Sequence, residues 1–584
     1  MPSLPFFSAI KPTEKFIVCL WMIFCFLVLS YKLGEVPPYH ADENFYIESS
    51  LRMVESGDYV TPVYHEKKRF AKPILYYWMV VSSYKIFGIS LSSARLPSVL
   101  FGTMSVGLVF LLACRLFDRR VGLFSAFILP SIYLHFQISR WSTTDMALSF
   151  FVLLALYFFV VLFQTNFKKN IYAYLFYLSL GLGFMVKGPP AILIPGLTVF
   201  GFLLATKRGN WLADLRVGQG LIILLIIIMP WFATMLGMHG EEFKNHIVGN
   251  EIKNRLVHNT PFSFYYVGVL FRYQLPWSLF FLFAALKQFG VLGFSSEKGI
   301  GFGERLKKLG KNISWHIKLL FKEENQPFLF CYTWILVCLI LFTILRVEHS
   351  RYMLPSCAAV AILTARLFAG VEKNPEESGE FGFKVSTVIT FLILLISSLL
   401  TGIGVFVFDS ISAELFILPV LLFSGALFLA FSIRSGLPMV FPIALALTLT
   451  MSSLSGDVLP YVSRYPMKKF ASHINQEKFK GPIAVYNLGS HRARLGILTG
   501  RMVVKLHSPD EVEEFLRTNK KIYLVIKESD WKKDFSKTNM KIIKKDQIGS
   551  KPRIKSNEIT GLFDTKKLRN ILSSTETLYF VSNK

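Results

Sequence analysis

Long runs of hydrophobic residues follow one another through residues 1–454. They lack the regular alternation with polar positions that is typical of elements on the surface of a soluble core. With their apolar flanks they approach the roughly 20 residues that a helix needs to cross about 30 Å of hydrocarbon. Because a helix satisfies its own backbone hydrogen bonds, the pattern predicts about 13 membrane-spanning helices. The predicted spans are 15–34, 84–114, 121–138, 146–164, 171–186, 191–206, 218–236, 264–286, 326–345, 351–370, 384–408, 414–432 and 437–454.

The basic residues between these runs predict the orientation of the chain. Clusters at 115–120, 168–169, 207–208 and 287–322 all fall on the side of the N-terminus, which the positive-inside rule makes cytoplasmic. The first run has no small-residue cleavage site after it, so we interpret it as a retained helix. Because the N-terminus is inside, the first loop, 35–75, lies on the outer side. An odd number of spans then places residues 455–584 on the outer side as well.

Residues 455–584 differ in pattern from the rest of the chain. Short apolar runs at Ile483–Tyr486 and Ile522–Ile526 predict strands, and Asp510–Thr518 has a helical pattern. The predicted fold is therefore an all-α polytopic membrane domain, 1–454, followed by a small C-terminal α/β domain. Within the first loop, the apolar residues of 42–56 recur at near-helical spacing and predict an interfacial helix.

Composition agrees with a membrane protein and narrows its partners. Of the 584 residues 53% are hydrophobic and 17% charged, and the net charge is +26. This positive charge lies mainly in the short loops and the C-terminal tail, with no basic soluble module interleaved with aromatic residues. We therefore expect membrane lipids and phosphorylated lipids as partners, and no nucleic acid.

Ionisable residues next to apolar runs are costly and indicate function. The predicted topology brings four such groups to the outer face: Asp42-Glu43, Lys72, Asp145 and Lys187. The lysines are suited to neutralise a phosphate that gains charge as a glycosyl-phosphate bond breaks. A carboxylate such as Asp42 is suited to accept a proton from a hydroxyl, or to orient a nucleophile that is already charged.

Each of these residues also has an ordinary structural interpretation. Aspartates cap helices and lysines extend to lipid headgroups. Arg351 and Tyr352 fit interface anchors, and polar loop residues such as His246, Arg255 and His258 need no special role. Taken alone, these residues leave a membrane enzyme and a transporter both open.

A series of motifs resembles a known family. The motifs are Asp42-Glu43-Asn44-Phe45-Tyr46-Ile47-Glu48, Ser56-Gly57-Asp58-Tyr59-Val60-Thr61-Pro62, Arg69-Phe70-Ala71-Lys72-Pro73-Ile74-Leu75-Tyr76-Tyr77-Trp78, Ala94-Arg95-Leu96-Pro97-Ser98, Ser139-Arg140-Trp141-Ser142-Thr143-Thr144-Asp145, Lys187-Gly188-Pro189 and Arg351-Tyr352-Met353-Leu354-Pro355. In this order and spacing they resemble the aminoarabinose transferases of lipid A. With the protein O-mannosyltransferases, these belong to a larger group of dolichyl- or undecaprenyl-phosphate-dependent glycosyltransferases. The resemblance is strong over 35–200 and only architectural beyond about 370.

The resemblance implies a C-type glycosyltransferase fold, with its active site and C-terminal domain on the periplasmic side of a bacterial inner membrane. It implies Asp42 and Asp145 as the catalytic carboxylates. We assign the remaining candidates to binding of the carrier phosphate or the substrate: Glu43, Lys72, Lys187, Arg255, His258, Arg351 and Tyr352.

This sequence differs from the family motifs at two positions, and these differences bear on the sugar, the acceptor and any metal. Many lipid A transferases have Glu at the position of Ala71 and a basic residue at the position of Phe45. We therefore predict no required cofactor, although a divalent metal remains possible, and the metal ligands are unknown.

The leading functional hypothesis is an inverting transfer of a sugar from a polyprenyl-phosphate carrier to lipid A or a related envelope glycolipid. Protein O-mannosylation is the alternative within enzymes. A transporter or flippase of a lipid-linked sugar is an alternative of another class, against which the absence of charges in mid-span argues. A non-catalytic scaffold is a third, against which the Asp42, Lys72, Asp145 and Lys187 set argues.

Overall fold

The computed structural model describes residues 11–38, 41–207, 211–247, 249, 263–291, 302–374, 376, 380–407, 417–435, 439–459, 466–489, 491–536, 538–549 and 575–583. The helices that precede the C-terminal domain are α1 (Pro12–Ser30), α2 (Ala41–Ser56), α3 (Leu75–Phe87), α4 (Leu91–Leu116), α5 (Arg119–Ser131), α6 (Tyr133–Ser139), α7 (Thr144–Gln164), α8 (Asn170–Lys187), α9 (Pro190–Ala205), α10 (Trp211–Asp214), α11 (Val217–Asn245), α12 (Tyr265–Arg272), α13 (Trp277–Gln288), α14 (Phe302–Leu320), α15 (Gln326–Leu345), α16 (Cys357–Lys373), α17 (Phe381–Val407), α18 (Ile417–Ser435) and α19 (Val440–Ser453).

Each predicted span is helical over most of its described residues. Eight described helices have the length and composition to cross a membrane, and ten spans result if two bent pairs count as one span each. These pairs are α5 with α6, bent by 63°, and α12 with α13, bent by 112°. The other three predicted segments, in α8, α9 and α18, are also helical. The chain is thus a multi-pass membrane protein.

One predicted span begins too early. The sequence predicts a continuous helix over 84–114, but α3 ends at Phe87, and φ of the next residue, Gly88, is +80°. After this left-handed residue, the Ser90 hydroxyl accepts a hydrogen bond of 3.1 Å from the Ser93 amide and caps α4. A glycine followed by a serine cap is a strong signal for the end of one helix and the start of the next.

The first loop folds as α2 followed by a hairpin whose two strands have two residues each, and it leads into α3. The hairpin pairs β1 (Val63–Tyr64) with β2 (Lys67–Lys68), antiparallel. The predicted helix at 42–56 is confirmed as α2, but its apolar side does not face lipid as an interfacial helix requires. Ile47 and Leu51 of α2 are buried in a cluster with residues of α3, α7 and α11 and with Ile497 of the C-terminal domain. The apolar side of α2 therefore packs against protein rather than lipid.

The C-terminal domain is a mixed five-stranded sheet with helices, as predicted. Its elements are α20 (Pro466–Gln476), β3 (Ile483–Tyr486), α21 (His491–Thr499), β4 (Val504–Leu506), α22 (Pro509–Thr518), β5 (Tyr523–Lys527), β6 (Lys541–Gly549) and β7 (Thr575–Ser582). The strand order is β4-β3-β5-β7-β6, with β3 parallel to β4 and β5, and β7 antiparallel to β5 and β6. Alternate residues of β3 enter hydrophobic clusters on opposite faces of the sheet, so both faces are covered.

Candidate active site

Three segments of the membrane domain bring charged residues together at one end of the helices. Asp145 lies in the first turn of α7, and Lys187 is the last residue of α8. Because α7 and α8 pack against each other as consecutive helices, these two ends are neighbours. A carboxylate at a helix N-terminus and an ammonium at a C-terminus are both favoured by the helix dipole. The third segment is the 3₁₀ helix Ser350–Ser356, which contributes Arg351 and Tyr352.

Four charged groups form one network at this point. Lys187 donates a hydrogen bond to Asp145 and forms an ion pair with it. The Arg351 NH2 atom lies 2.5 Å from Asp42 Oδ2, and its Nε lies 3.5 Å from Asp145 Oδ2. The side chains of Asp145, Lys187 and Arg351 are at most 8% exposed, whereas that of Asp42 is 36% exposed. Asp42 is therefore the member of the network that is open to an incoming group.

The Tyr352 ring extends the cationic part of the network. The Lys187 Nζ lies 4.6 Å from the centre of this ring, and the Arg351 guanidinium carbon lies 5.9 Å from it. Such cation–π contacts hold both cations without consuming all of their hydrogen-bond donors. Both cations therefore lie beside the same aromatic ring.

A narrow cleft with about 20 Å³ of free space is lined by these cations. Its walls are otherwise mainly apolar, and its lining consists of Asp145, Leu148, Lys187, Pro190, Phe342, Leu345, Val347, Arg351, Tyr352 and Pro355. An apolar cleft with a cationic end suits an amphiphile with an anionic head.

Arg69 is a further cation near Asp42 that the sequence analysis did not single out. Its guanidinium lies 3.8 Å from the centre of the Phe45 ring, and its Nε donates a hydrogen bond of 3.2 Å to the Tyr77 hydroxyl. Burial opposes its charge, but Tyr77, Tyr46 and Asp42 outweigh burial and raise the pKa of Arg69. Phe45, noted as an apolar residue at a usually basic position, thus stacks on a basic residue from elsewhere in the same loop.

Glu43, predicted to bind substrate, has its carboxylate occupied by protein groups. Arg95 of α4 donates to it through Nε at 2.6 Å and through NH2 at 3.0 Å. The Ser142 amide donates a further hydrogen bond of 3.0 Å to Glu43. Arg95 also donates to the carbonyl oxygens of Leu33 and Val36, so it joins α2, α4 and the segment between α1 and α2. The sequence analysis did not single out Arg95, although a charged residue at the start of a long apolar segment is a signal that could have identified it.

We expect Glu43→Ala to destabilise the protein by about 3–5 kcal/mol, because it leaves a buried guanidinium without its carboxylate. The measurement is the apparent melting temperature of the purified protein in lipid nanodiscs. Glu241→Ala is the matched control, since Glu241 forms an exposed pair with Lys244 that contributes little. Equal melting temperatures for the two variants would show that the buried pair is not structural.

Lys72 and His246 both contact residues of the first loop. Lys72 Nζ donates a hydrogen bond of 2.8 Å to the Ala71 carbonyl, and the side chain is half-buried. His246 contacts the Phe70 ring, with the two ring centres 5.7 Å apart. Arg255 and His258 lie outside the described residues, so their roles stay predictions.

The residues that the structure describes do not form a set of ligands for a divalent metal. Among them no three His, Cys, Asp or Glu side chains group as metal ligands. The carboxylates nearest the cleft, Asp42 and Asp145, are already paired with Arg351 and Lys187. We assign no step to a metal.

Known proteins resemble this chain in sequence and in fold. Residues 71–233 match the dolichyl-phosphate-mannose-protein mannosyltransferase family. The crystal structure of ArnT from Cupriavidus metallidurans bound to undecaprenyl phosphate superposes with a TM-score of 0.71 over 98% of both chains, at 17% identity. The chain has a C-type glycosyltransferase fold. The predicted resemblance and fold class are thereby confirmed.

Two further proteins are similar to this chain in sequence. An uncharacterised protein of Aquifex aeolicus (strain VF5) is 24% identical over 84% of this chain and 88% of its own length. The undecaprenyl phosphate-alpha-4-amino-4-deoxy-L-arabinose arabinosyl transferase of Serratia proteamaculans (strain 568) is 28% identical over 59% of this chain and 58% of its own. The chain thus aligns with just over half the length of this named relative. The named activities are those of glycosyltransferases, which agrees with the predicted enzyme class.

Proposed function

We propose that the chain is an inverting glycosyltransferase that moves a sugar from a polyprenyl-phosphate carrier, such as undecaprenyl phosphate, to lipid A or a related envelope glycolipid. The observation that carries the proposal is the apolar cleft that ends at Lys187 and Arg351 beside Asp42. The isoprenoid chain would lie along Leu148 and Phe342. The carrier phosphate would lie against the two cations.

The transfer follows from the charges at the end of the cleft. An acceptor oxygen attacks the anomeric carbon from the face opposite the phosphate, and the bond between this carbon and the phosphate oxygen breaks. The polyprenyl phosphate leaves with the bonding electron pair. Lys187 and Arg351 stabilise the negative charge that grows on it, which lowers the barrier because charged donors act strongly at a partly desolvated site.

Asp42 acts on the acceptor. If the acceptor is a hydroxyl, Asp42 accepts its proton as the sugar is transferred. If the acceptor is a lipid A phosphate, that phosphate is already anionic. Asp42 then orients the lipid A molecule by binding its hydroxyl or sugar groups. Asp145 does not face the acceptor in this scheme; it holds Lys187 and Arg351 in place for the carrier phosphate.

Relatives support the choice of donor and of membrane. The Cupriavidus structure contains undecaprenyl phosphate, and the Serratia relative is named for an undecaprenyl-phosphate-linked aminoarabinose. We therefore place the chain in a bacterial inner membrane with the cleft and the C-terminal domain on the periplasmic side. The match of 71–233 to protein mannosyltransferases favours a protein hydroxyl as the second candidate acceptor.

The test is mass spectrometry of lipid A and of total envelope glycolipids. It compares bacterial cells producing the intact chain with cells producing Asp42→Asn at equal membrane abundance. We expect a glycolipid heavier by one sugar residue only with the intact chain, and the added mass identifies the sugar. Unchanged glycolipids in both strains would overturn the lipid acceptor. Sugar on periplasmic proteins from the intact strain alone would then establish the protein acceptor instead.

A further inference from the structure

The C-terminal domain contacts the helix that carries Asp42. Gly496 of α21 lies against Leu51 of α2, and Ile497 is part of the same hydrophobic cluster as Ile47 and Leu51. Beyond α21, the Met502 amide donates a hydrogen bond of 3.0 Å to Glu55 at the end of α2. The domain is therefore packed along α2 rather than joined to it only through the chain.

A buried ion pair lies in the middle of this contact. The Arg492 NH2 atom is 3.5 Å from Glu48 Oε1 and 3.4 Å from Glu66 Oε1. The side chains of Arg492 and Glu48 are only 4% and 3% exposed. Charges buried to this degree are stable only when they are paired, so Glu48 and Arg492 stabilise each other, and Glu66 adds a second carboxylate beside Arg492.

Arg492 is a principal counter-charge for Glu48. Burial raises the pKa of Glu48, and Arg492 is the strongest influence that opposes this rise, ahead of the His65 amide and Arg52. Burial, followed by Arg492, lowers the pKa of His65 to about 4, although Glu66 opposes this. At neutral pH the imidazole is therefore uncharged and does not replace Arg492.

Three acidic residues of α2 are each paired with an arginine from a different part of the chain. Asp42 pairs with Arg351, Glu43 with Arg95 and Glu48 with Arg492. Glu48 follows Asp42 by six residues, which is about 9 Å along a helix at 1.5 Å per residue. A helix held at both ends of this interval has little freedom to tilt or rotate.

We propose that Arg492 is a positioning residue: through Glu48 it fixes α2, and so places Asp42 against the end of the cleft. The proposal rests on the function proposed above for Asp42. It gives the C-terminal domain a part in catalysis without any contact with the substrate. Its effect falls on the rate of the bound complex, because a displacement of about 1 Å at a reacting group is enough to slow catalysis by as much as 100-fold.

The test uses the full-length protein in lipid nanodiscs with a polyprenyl-phosphate-linked sugar as donor. We expect Arg492→Gln to lower kcat by about 10- to 100-fold, with the KM for the donor changed less than about 3-fold. Arg492→Lys keeps the charge and should recover part of kcat. If Arg492→Gln alone is unstable, the double variant Arg492→Gln with Glu48→Gln replaces it. The double variant removes both buried charges, so we expect it to stay folded. Its kcat should stay below that of the intact protein.

Hydrogen exchange gives a readout that does not depend on activity. In Arg492→Gln the amides of 41–56 should exchange faster than in the intact protein. In the control Arg517→Gln, whose arginine is 82% exposed in the same domain, exchange and kcat should be unchanged. Unchanged exchange in 41–56, or a wild-type kcat for the folded double variant, would overturn the positioning role. Absence of transfer by the intact protein would instead overturn the proposed function, while the exchange measurement still tests the link to α2.

Discussion

Changing Asp42 to asparagine is expected to lower the rate of sugar transfer by about 10²- to 10⁴-fold, the range typical for loss of a general base. Asparagine keeps the size of the side chain but can neither accept a proton nor balance the charge of Arg351. If the acceptor is a phosphate, the loss should lie at the lower end of that range, because orientation alone is lost. The measurement is single-turnover transfer in nanodiscs with saturating donor.

Stability is the control for Asp42→Asn. Asp42 is the most exposed member of the charged network, and Arg351 still has Asp145 within 3.5 Å when Asp42 is neutral. We therefore expect an almost unchanged apparent melting temperature. Asp42→Glu, which keeps the charge but displaces it, should retain more activity than Asp42→Asn. Full activity of Asp42→Asn would remove Asp42 from the mechanism.

The sequence is informative about the fold because apolar runs and charge placement are local features. The strands at 483–486 and near 522–526 and the helices of the spans could all be predicted from such runs. The break between α3 and α4 was missed because Tyr84, Ile86 and Phe87 continue the apolar pattern up to Gly88. Strand β7 at the end of the chain was also missed, since its pairing with β5 and β6 is a long-range property.

The sequence identified several residues of the candidate site but not which of them form ion pairs with one another. Ionisable residues beside apolar runs selected Asp42, Glu43, Lys72, Asp145 and Lys187. The structure brings Asp42, Asp145 and Lys187 into one network. That Arg351 joins the two aspartates depends on residues more than 200 positions apart in the chain. No local pattern shows that Glu43 faces Arg95 while its neighbour Asp42 faces the cleft, because adjacent helical residues point in different directions.

The buried pair of Asp145 and Lys187 should be essential to both stability and activity, and double substitution should separate these two roles. Lys187→Met leaves the Asp145 carboxylate, 5% exposed, with only the more distant Arg351 as an ionic partner in the described network. We expect a loss of about 3–5 kcal/mol in the free energy of unfolding, which is typical when one member of a buried ion pair is removed.

The double variant Lys187→Met with Asp145→Asn removes the uncompensated charge and should recover most of the lost melting temperature, because a buried pair can be replaced by neutral groups at little cost. Transfer should remain absent, since the carrier phosphate has lost one of its two cations. Lys244→Met, at an exposed ion pair, is the control and should leave both properties unchanged. Recovered stability with recovered transfer would mean that Lys187 only balances Asp145. Recovered stability without transfer would mean that the pair acts in transfer as well as in stability.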